Sequence, residues 1–447
     1  MVSLRLSPRE LRGLRAAGFL LLLLLSGPVP SASARPTDEP QAPVAGSNAQ
    51  PGAVAQDMTL TLAECLQLAA ERQPRIKAQR ASLAAAQEGY CALQNLQIPE
   101  FLVPDLPVRR RQAALGVTAA AAGLDQAERE AVYAVTRTYF SVLYAREQER
   151  VARSIVERLT ATRDAAQRSL NAGARDVSAT DVSRASVYAR LAETRRIQAS
   201  QGVKRALYGL KEAIGLGHET KLDVPGDRLP QVEVQPSVDE VVAQALARRS
   251  ELVRAGVFVD VTCLEVEAQE ANNLNKRVET FAAGSDIHAV RVPQGDQDTE
   301  YRPGDIPPEM PTLLVGSRSD RARRAESFNV RAQAVAETTT NLITLEAETA
   351  FLRWEEASSQ IRAAREAADT GDKMADDLNK DFTAGLKIKI DDVINARVLA
   401  SQARSQYNEY LYRQILALAD LERITAGAFS ARLVDAAASQ ATPAKTR

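Results

Sequence analysis

Histidines and cysteines, the side chains that most often carry acid–base, nucleophilic or transition-metal chemistry, are few in this 447-residue chain, and they are not spaced to act together. One of its two histidines, His218, lies beside Glu219, and the other, His288, lies in an irregular stretch. Neither has a nucleophile or second ligand at a recognisable spacing, so both read as surface histidines. Two histidines and three cysteines are too few for a His- or Cys-rich metal centre. Cys65 and Cys91 lie on mostly helical sequence that separates them by up to ~39 Å, far beyond the ~7 Å that a disulfide spans. Cys263 could meet either only through tertiary contacts, so buried, unpaired thiols are expected. With 56 Lys+Arg against 57 Asp+Glu, the net charge of −1 leaves no basic excess to displace counterions from nucleic acid. The chain therefore reads as not an enzyme, with no cofactor, no metal and no nucleic-acid partner.

The elements carry more information than the reactive side chains. Arg5, Arg9, Arg12 and Arg15 precede an apolar run over 16–25, and Ala32-Ser33-Ala34 follows it. Basic, apolar and small-residue segments in that order form a secretory signal, expected over 1–34, with the mature chain starting at Arg35. Residues 35–57 are rich in Pro and Ala and read as a disordered linker. Aromatics are only 4% of the chain, which disfavours a compact β-rich domain and points to long helices.

The helical part is duplicated. Thr61-Leu62-Ala63-Glu64 and Ser237-Val238-Asp239-Glu240 both have capping-box spacing. After these two starts Leu66 matches Val242, Arg72 matches Arg248 and Ile76 matches Leu252. Thr138 and Phe140 match Thr349 and Phe351, Ala172-Gly173 matches Ala384-Gly385, and Asp181-Val182 matches Asp392-Val393. Repeats are expected over 58–217 and 237–427, with a connector at 218–236, an irregular insert at 281–320 and a tail at 428–447. Within the first repeat the pattern predicts helix over 61–96, with Pro74 restarting it, then over 111–170, roughly 90 Å of helix. After a turn at Gly173, helix resumes over 178–214. The second repeat predicts helix over 321–382, a turn at Gly385, and helix over 391–424. Stripes such as Tyr139, Leu143, Ile155 and Leu159, or Tyr407, Leu411, Ile415 and Leu418, must pair antiparallel across the turns.

This ordered set resembles the TolC family of outer-membrane efflux channels. The residues that carry the resemblance are Leu60-Thr61-Leu62-Ala63-Glu64-Cys65-Leu66 with Gln73-Pro74, Val238-Asp239-Glu240-Val241-Val242, the Thr-x-Phe stretches and the two glycine turns. It covers 60–427. The resemblance implies a mainly α fold of two tandem antiparallel coiled-coil hairpin repeats, an exported homotrimer at the outer membrane, and a passive conduit for an efflux or export system. Its partners would be a periplasmic adaptor and an inner-membrane pump, docked through tips formed by Ala172, Gly173, Asp181, Val182, Ala384 and Gly385. It also implies an acidic periplasmic gate after the second tip, matched here by Asp391 or Asp392. Asp391 could equally cap its helix, and Asn395 stands where the family carries a further acid.

The barrel segments depart from that family. A membrane strand needs about 9–11 residues, and the interval 98–110 is too short for a pair and holds Pro99, Pro104 and Pro107. The interval 281–320 is long enough, with short strands conceivable at 287–292 and 312–315, but it is polar and proline-rich and reads as a soluble loop. Little or no membrane β-barrel is therefore expected. The second reading of the chain is a non-conducting periplasmic helical scaffold that has lost the pore.

Overall fold

The computed structural model describes residues 57–99, 101–173, 177–217, 219–273, 275–283, 310–384 and 386–441. The signal segment, nearly all of the linker, His218, His288, Gly385, most of the insert and the last residues of the tail lie outside them.

Among the described residues the helices fall into two series of matching length. The first is α1 (Leu62–Arg72, 11 residues), α2 (Pro74–Asn95, 22), α3 (Leu106–Asn171, 66) and α4 (Ala179–Ile214, 36). The second is α5 (Val238–Arg248, 11), α6 (Ser250–Ala271, 22), α7 (Arg318–Thr383, 66) and α8 (Ile390–Ile424, 35). A short α9 (Leu433–Ala441) follows. Each 66-residue helix is about 100 Å long at the rise of an α-helix.

Local chemistry sets the helix ends. Thr61 and Glu64 form the expected capping box, with Thr61 N–H donating to Glu64 at 2.8 Å. Ser237 makes no side-chain cap, and Glu240 accepts from Gln244 one turn further on at 2.9 Å. Two boxes not foreseen from the sequence, Ser178 with Asp181 and Ser317 with Asp320, start α4 and α7. Between α1 and α2, Gln73 is extended and Pro74 opens α2, where its missing N–H costs no helix bond. The Gln73 side chain donates to the Ala213 carbonyl at 3.0 Å and the Glu212 carbonyl at 3.3 Å. The break between α1 and α2 therefore caps the end of α4.

The packing is a layer of helices. α3 is flanked on one side by α2 and then α4, and on the other by α6 and then α8, which join it to α7. At Gly371 of α7 a side chain would meet the Ala400 backbone of α8 at 3.2 Å, so glycine permits that close approach. The largest apolar cluster sits mid-length and buries Leu62, Tyr139, Phe140, Leu143, Ile214 and Ile415. The expected stripes on α3 and α8 are buried, while Val203 and Leu207 of α4 are half-buried.

Strands are few and short among the described residues, with no closed sheet. β1 (Asp57–Thr59) pairs parallel with β2 (Lys221–Asp223). β3 (Arg277–Glu279) pairs antiparallel with β4 (Leu313–Val315) at the root of the insert. β4 matches the strand conceived at 312–315, while its partner β3 precedes the interval 281–320 that reads as a loop, and 287–292 lies outside the described residues. No strand joins α2 to α3 in the described part of that connection. No helix among the described residues is long and apolar enough to cross a membrane, which says nothing of a β-barrel.

The cysteines correct one expectation. All three are free, but only Cys65 is buried, and Cys91 and Cys263 are exposed. Burial, and to a lesser extent Glu64, pushes the Cys65 thiol up to about 12. A thiol reagent at neutral pH is therefore expected to label Cys91 and Cys263 rapidly, and Cys65 only after denaturation. Fast native labelling of Cys65 would show that the mid-length cluster opens.

Candidate functional site

The α3–α4 and α7–α8 turns lie at one end of the layer, here called the turn end. Ala172 closes α3, and its N–H donates to the Arg168 carbonyl at 3.0 Å. Gly173 follows at φ +78, with its N–H on the Leu170 carbonyl, a left-handed position that favours glycine. No atom lies within 4 Å of where a Gly173 side chain would start, so the backbone angle alone selects glycine there. Ala172, Gly173 and Ala384 are exposed. Val182 packs half-buried on the apolar cluster of Ile155, Leu159, Ile390 and Ile394.

Asp181 and Asp391, on different hairpins, meet through a residue that the sequence did not single out. Arg184 donates a charge-assisted hydrogen bond to Asp391 Oδ2 and lies 3.9 Å from Asp181 Oδ1. The hydrogen bond to Asp391, and the charge of that carboxylate, raise the Arg184 pKa. Asp181 is held below the usual carboxylate range by the backbone and hydroxyl bonds from Ser178. Asp391 is not a helix cap: Lys389 is the cap residue, without a side-chain bond, and Asp391 lies in the first turn. Its Oδ1 is buried without a hydrogen-bond partner. Asp392 is exposed. The turn end thus carries an Arg184 bridge between hairpins and a carboxylate oxygen with bonding capacity to spare. A signal for Arg184 was available, since it stands three positions after Asp181 and so shares its helix face.

Two polar clusters elsewhere hold the layer in shape. Mid-length, Arg249 stands where Gln73 stands in the first repeat and pairs with Glu251 at 2.6 Å and Glu346 at 3.1 Å. Arg423 of α8 completes the cluster, with Glu346 at 2.5 Å and Asp420 at 2.7 Å. Burial alone would raise the Glu346 pKa, but Arg423 and then Arg249 hold it below the usual range.

At the opposite end, the loop end, Arg109 of α3 binds Glu265 of α6 at 2.5 Å, Asp105 at 3.0 Å and the Glu279 carbonyl at 2.6 Å. Glu265 also accepts from Gln112, Gln269 and the Phe281 N–H. Gln269 accepts from Arg321 at 2.9 Å. Arg321 is buried, and its remaining N–H groups donate to the carbonyls of Gln269, Asn272, Asn275 and Gly316. This chain of bonds ties the ends of α3, α6 and α7 to the β3–β4 root. Among the described residues no three His, Cys, Asp or Glu side chains converge as a metal site.

Comparison with solved structures defines the fold class. The outer-membrane channel OprN superposes with a TM-score of 0.65 at 15% identity, over 82% of this chain and 90% of that one. The MtrE outer-membrane channel of Neisseria gonorrhoeae, in its open state, gives 0.62 at 14%, over 82% and 89%. The outer-membrane protein VceC of Vibrio cholerae gives 0.64 at 12%, over 83% and 97%. No family model matches the chain, and no curated protein matches it. The chain therefore has the mainly α, TolC-like fold of these outer-membrane channels.

Proposed function

We propose that this protein is an outer-membrane-associated channel component of an efflux or export assembly, a passive conduit completed by three copies. The observation that carries this reading is the open helical layer. α7 forms one edge and α2 with α4 the other, so the packing of one copy is unfinished at both. Large apolar side chains remain exposed along these edges, including Val187 and Leu191 on α4 and Leu352 on α7. Joining the α2–α4 edge of one copy to the α7 edge of the next is a head-to-tail contact that closes into a ring. The fold shared with outer-membrane channels supports a ring of three around a lumen.

In this reading the hairpin turns dock on a periplasmic adaptor and its inner-membrane pump, through Ala172, Gly173, Asp181, Val182, Ala384 and Gly385. Energy comes from the pump. Asp391, paired with Arg184, serves as the gate residue, and exposed Asp392 adds charge to the ring. Arg184→Ala is expected to raise leakage of small solutes several-fold in cells that carry the channel, and Asp391→Asn to do the same. Unchanged leakage from a conducting channel with either substitution would remove the gate role.

A non-conducting scaffold stays as the second reading because no strand joins α2 to α3 in the described part of that connection. Native mass and projected shape of the detergent-extracted protein separate the two. A hollow trimer is expected; a monomer or solid dimer would overturn the conduit.

A further inference from the structure

We propose that Arg158 of α3 and Arg397 of α8 form a binding site for a small tetrahedral oxyanion, such as inorganic phosphate, at the seam between the two repeats. The site is complete within one protomer, so it does not rest on the conduit reading. On α8 the buried stripe runs Ile390, Ile394 and then Arg397, at helical spacings of four and three. Ile390 and Ile394 belong to the apolar cluster with Ile155 and Leu159 of α3. Arg397 continues that stripe with a charge in the place of an apolar side chain. It is only 5% exposed, and its Nε is enclosed without a hydrogen-bond partner. Among the described residues it makes no ion pair either. The matching position of the first repeat holds Ser186, so the duplication does not account for the arginine.

The carboxylates nearby do not serve both arginines. Arg158, about a third exposed, makes no hydrogen bond among the described residues and stands 3.3 Å from Asp376 and 3.9 Å from Asp372 of α7. Asp372 is engaged by Arg404 at 2.7 Å, and Arg404 takes Asp369 as well at 2.9 Å. Glu157, next to Arg158 on α3, is exposed and pairs with neither arginine. Asp376 is then the carboxylate that both arginines share, and turning it to Arg397 would take it from Arg158. Two arginines against one aspartate leave a positive charge in excess. Burial, and then the charge of Arg158, lower the Arg397 pKa, while Asp376 raises it, so the two guanidinium groups are close enough to repel.

The donor chemistry selects the ligand. A buried charge without a partner is strongly unfavourable, and a buried polar group left unsatisfied in a folded chain points to a missing water or ion. A guanidinium presents five N–H donors in a planar fork and accepts no hydrogen bond. The oxygens of a tetrahedral oxyanion match such a fork two at a time, with charge-assisted bonds. A spherical chloride offers no second oxygen to complete the pair. Bound between Arg158 and Arg397, the oxyanion cancels the excess charge and joins α3 of the first repeat to α8 of the second.

Equilibrium dialysis of the purified full chain against radiolabelled phosphate, with chloride holding the ionic strength constant, tests this. Wild type is expected to bind phosphate saturably, with one ion per chain. Arg397→Gln and Arg158→Gln should each weaken binding by about tenfold or more, the loss of charge-assisted hydrogen bonds. Asp376→Asn should strengthen it, because the competing carboxylate is gone. Thermal unfolding supplies a second measurement. Phosphate stabilises many proteins by exclusion from their surface, so the comparison is between proteins: the midpoint of wild type should rise with phosphate more than that of Arg397→Gln. In chloride alone Arg397→Gln should be at least as stable as wild type, since it removes a buried charge that has no partner there. Wild type without saturable binding overturns the proposal, as does equal binding by Arg397→Gln. An Arg397→Gln that loses as much stability in chloride as in phosphate also overturns it, because the arginine would then have a partner within the protein.

Discussion

Arg321→Ala is expected to destabilise the loop end by about 3–5 kcal/mol, the cost of a cavity and of several buried acceptors left without a donor. The reason lies in what the guanidinium satisfies. It is fully buried and large, and it bonds Gln269 and the carbonyls of Gln269, Asn272, Asn275 and Gly316. Alanine would leave those acceptors without their donor at the end of α6, where the helix already runs out of its own N–H groups. Arg321→Lys is expected to rescue little, because one ammonium cannot reach acceptors arranged around a planar fork. The effect should be local before it is global: hydrogen-exchange protection should fall in the last turn of α6, in β3 and in β4, and persist at the turn end. A loss below about 1 kcal/mol, the range of an exposed ion pair, would mean that water replaces the arginine and that the network is not a fastening.

Glu346→Gln should cost a similar amount, about 3–5 kcal/mol at neutral pH, and its pH dependence has a definite sign. Glu346 lies between Arg249 and Arg423, and its folded pKa is lowered although burial opposes this. A depressed carboxylate contributes its full stabilisation above its unfolded pKa, near the ordinary ~4.3, and loses it as pH falls through the lower folded value. Wild type should therefore lose this contribution below about pH 4, where the glutamine variant has nothing comparable to lose. Their denaturant midpoints should converge on acidification. Glu422 acts in the opposite sense, since burial raises its pKa and protonation relieves a cost. It is common to both proteins, so the difference isolates Glu346. A gap that stays constant from neutral to acidic pH would show that Glu346 is not an anion in the folded protein.

The conduit and the gate concern different regions of one layer, and each has its own readout. Leakage reports the Arg184–Asp391 bridge, and native mass reports the edges. The two polar clusters explain how a layer with two open edges keeps its ends in register. Arg249 and Arg423 fasten α6, α7 and α8 at mid-length, and Arg109, Glu265 and Arg321 fasten α3, α6 and α7 at the loop end.

By itself the sequence determined what depends on neighbours along the chain. The helix over 111–170 appears within α3, the restart at Pro74 opens α2, and the glycine after Ala172 ends a helix at φ +78. These follow from the 3.6-residue period, from proline's missing N–H and from the left-handed angle that glycine tolerates. Tertiary structure decided what depends on rotation and register between distant segments. Ser237 has the capping motif, yet Glu240 turned to Gln244. Cys263 was expected to be buried, yet its side of α6 is not covered. Asp391 could have capped its helix, yet it lies in the first turn and answers Arg184 on the other hairpin. No periodicity encodes such pairings, because a side chain's partner across a helix interface is set by how two helices are rotated and slid against each other. That choice is made only when the whole layer packs.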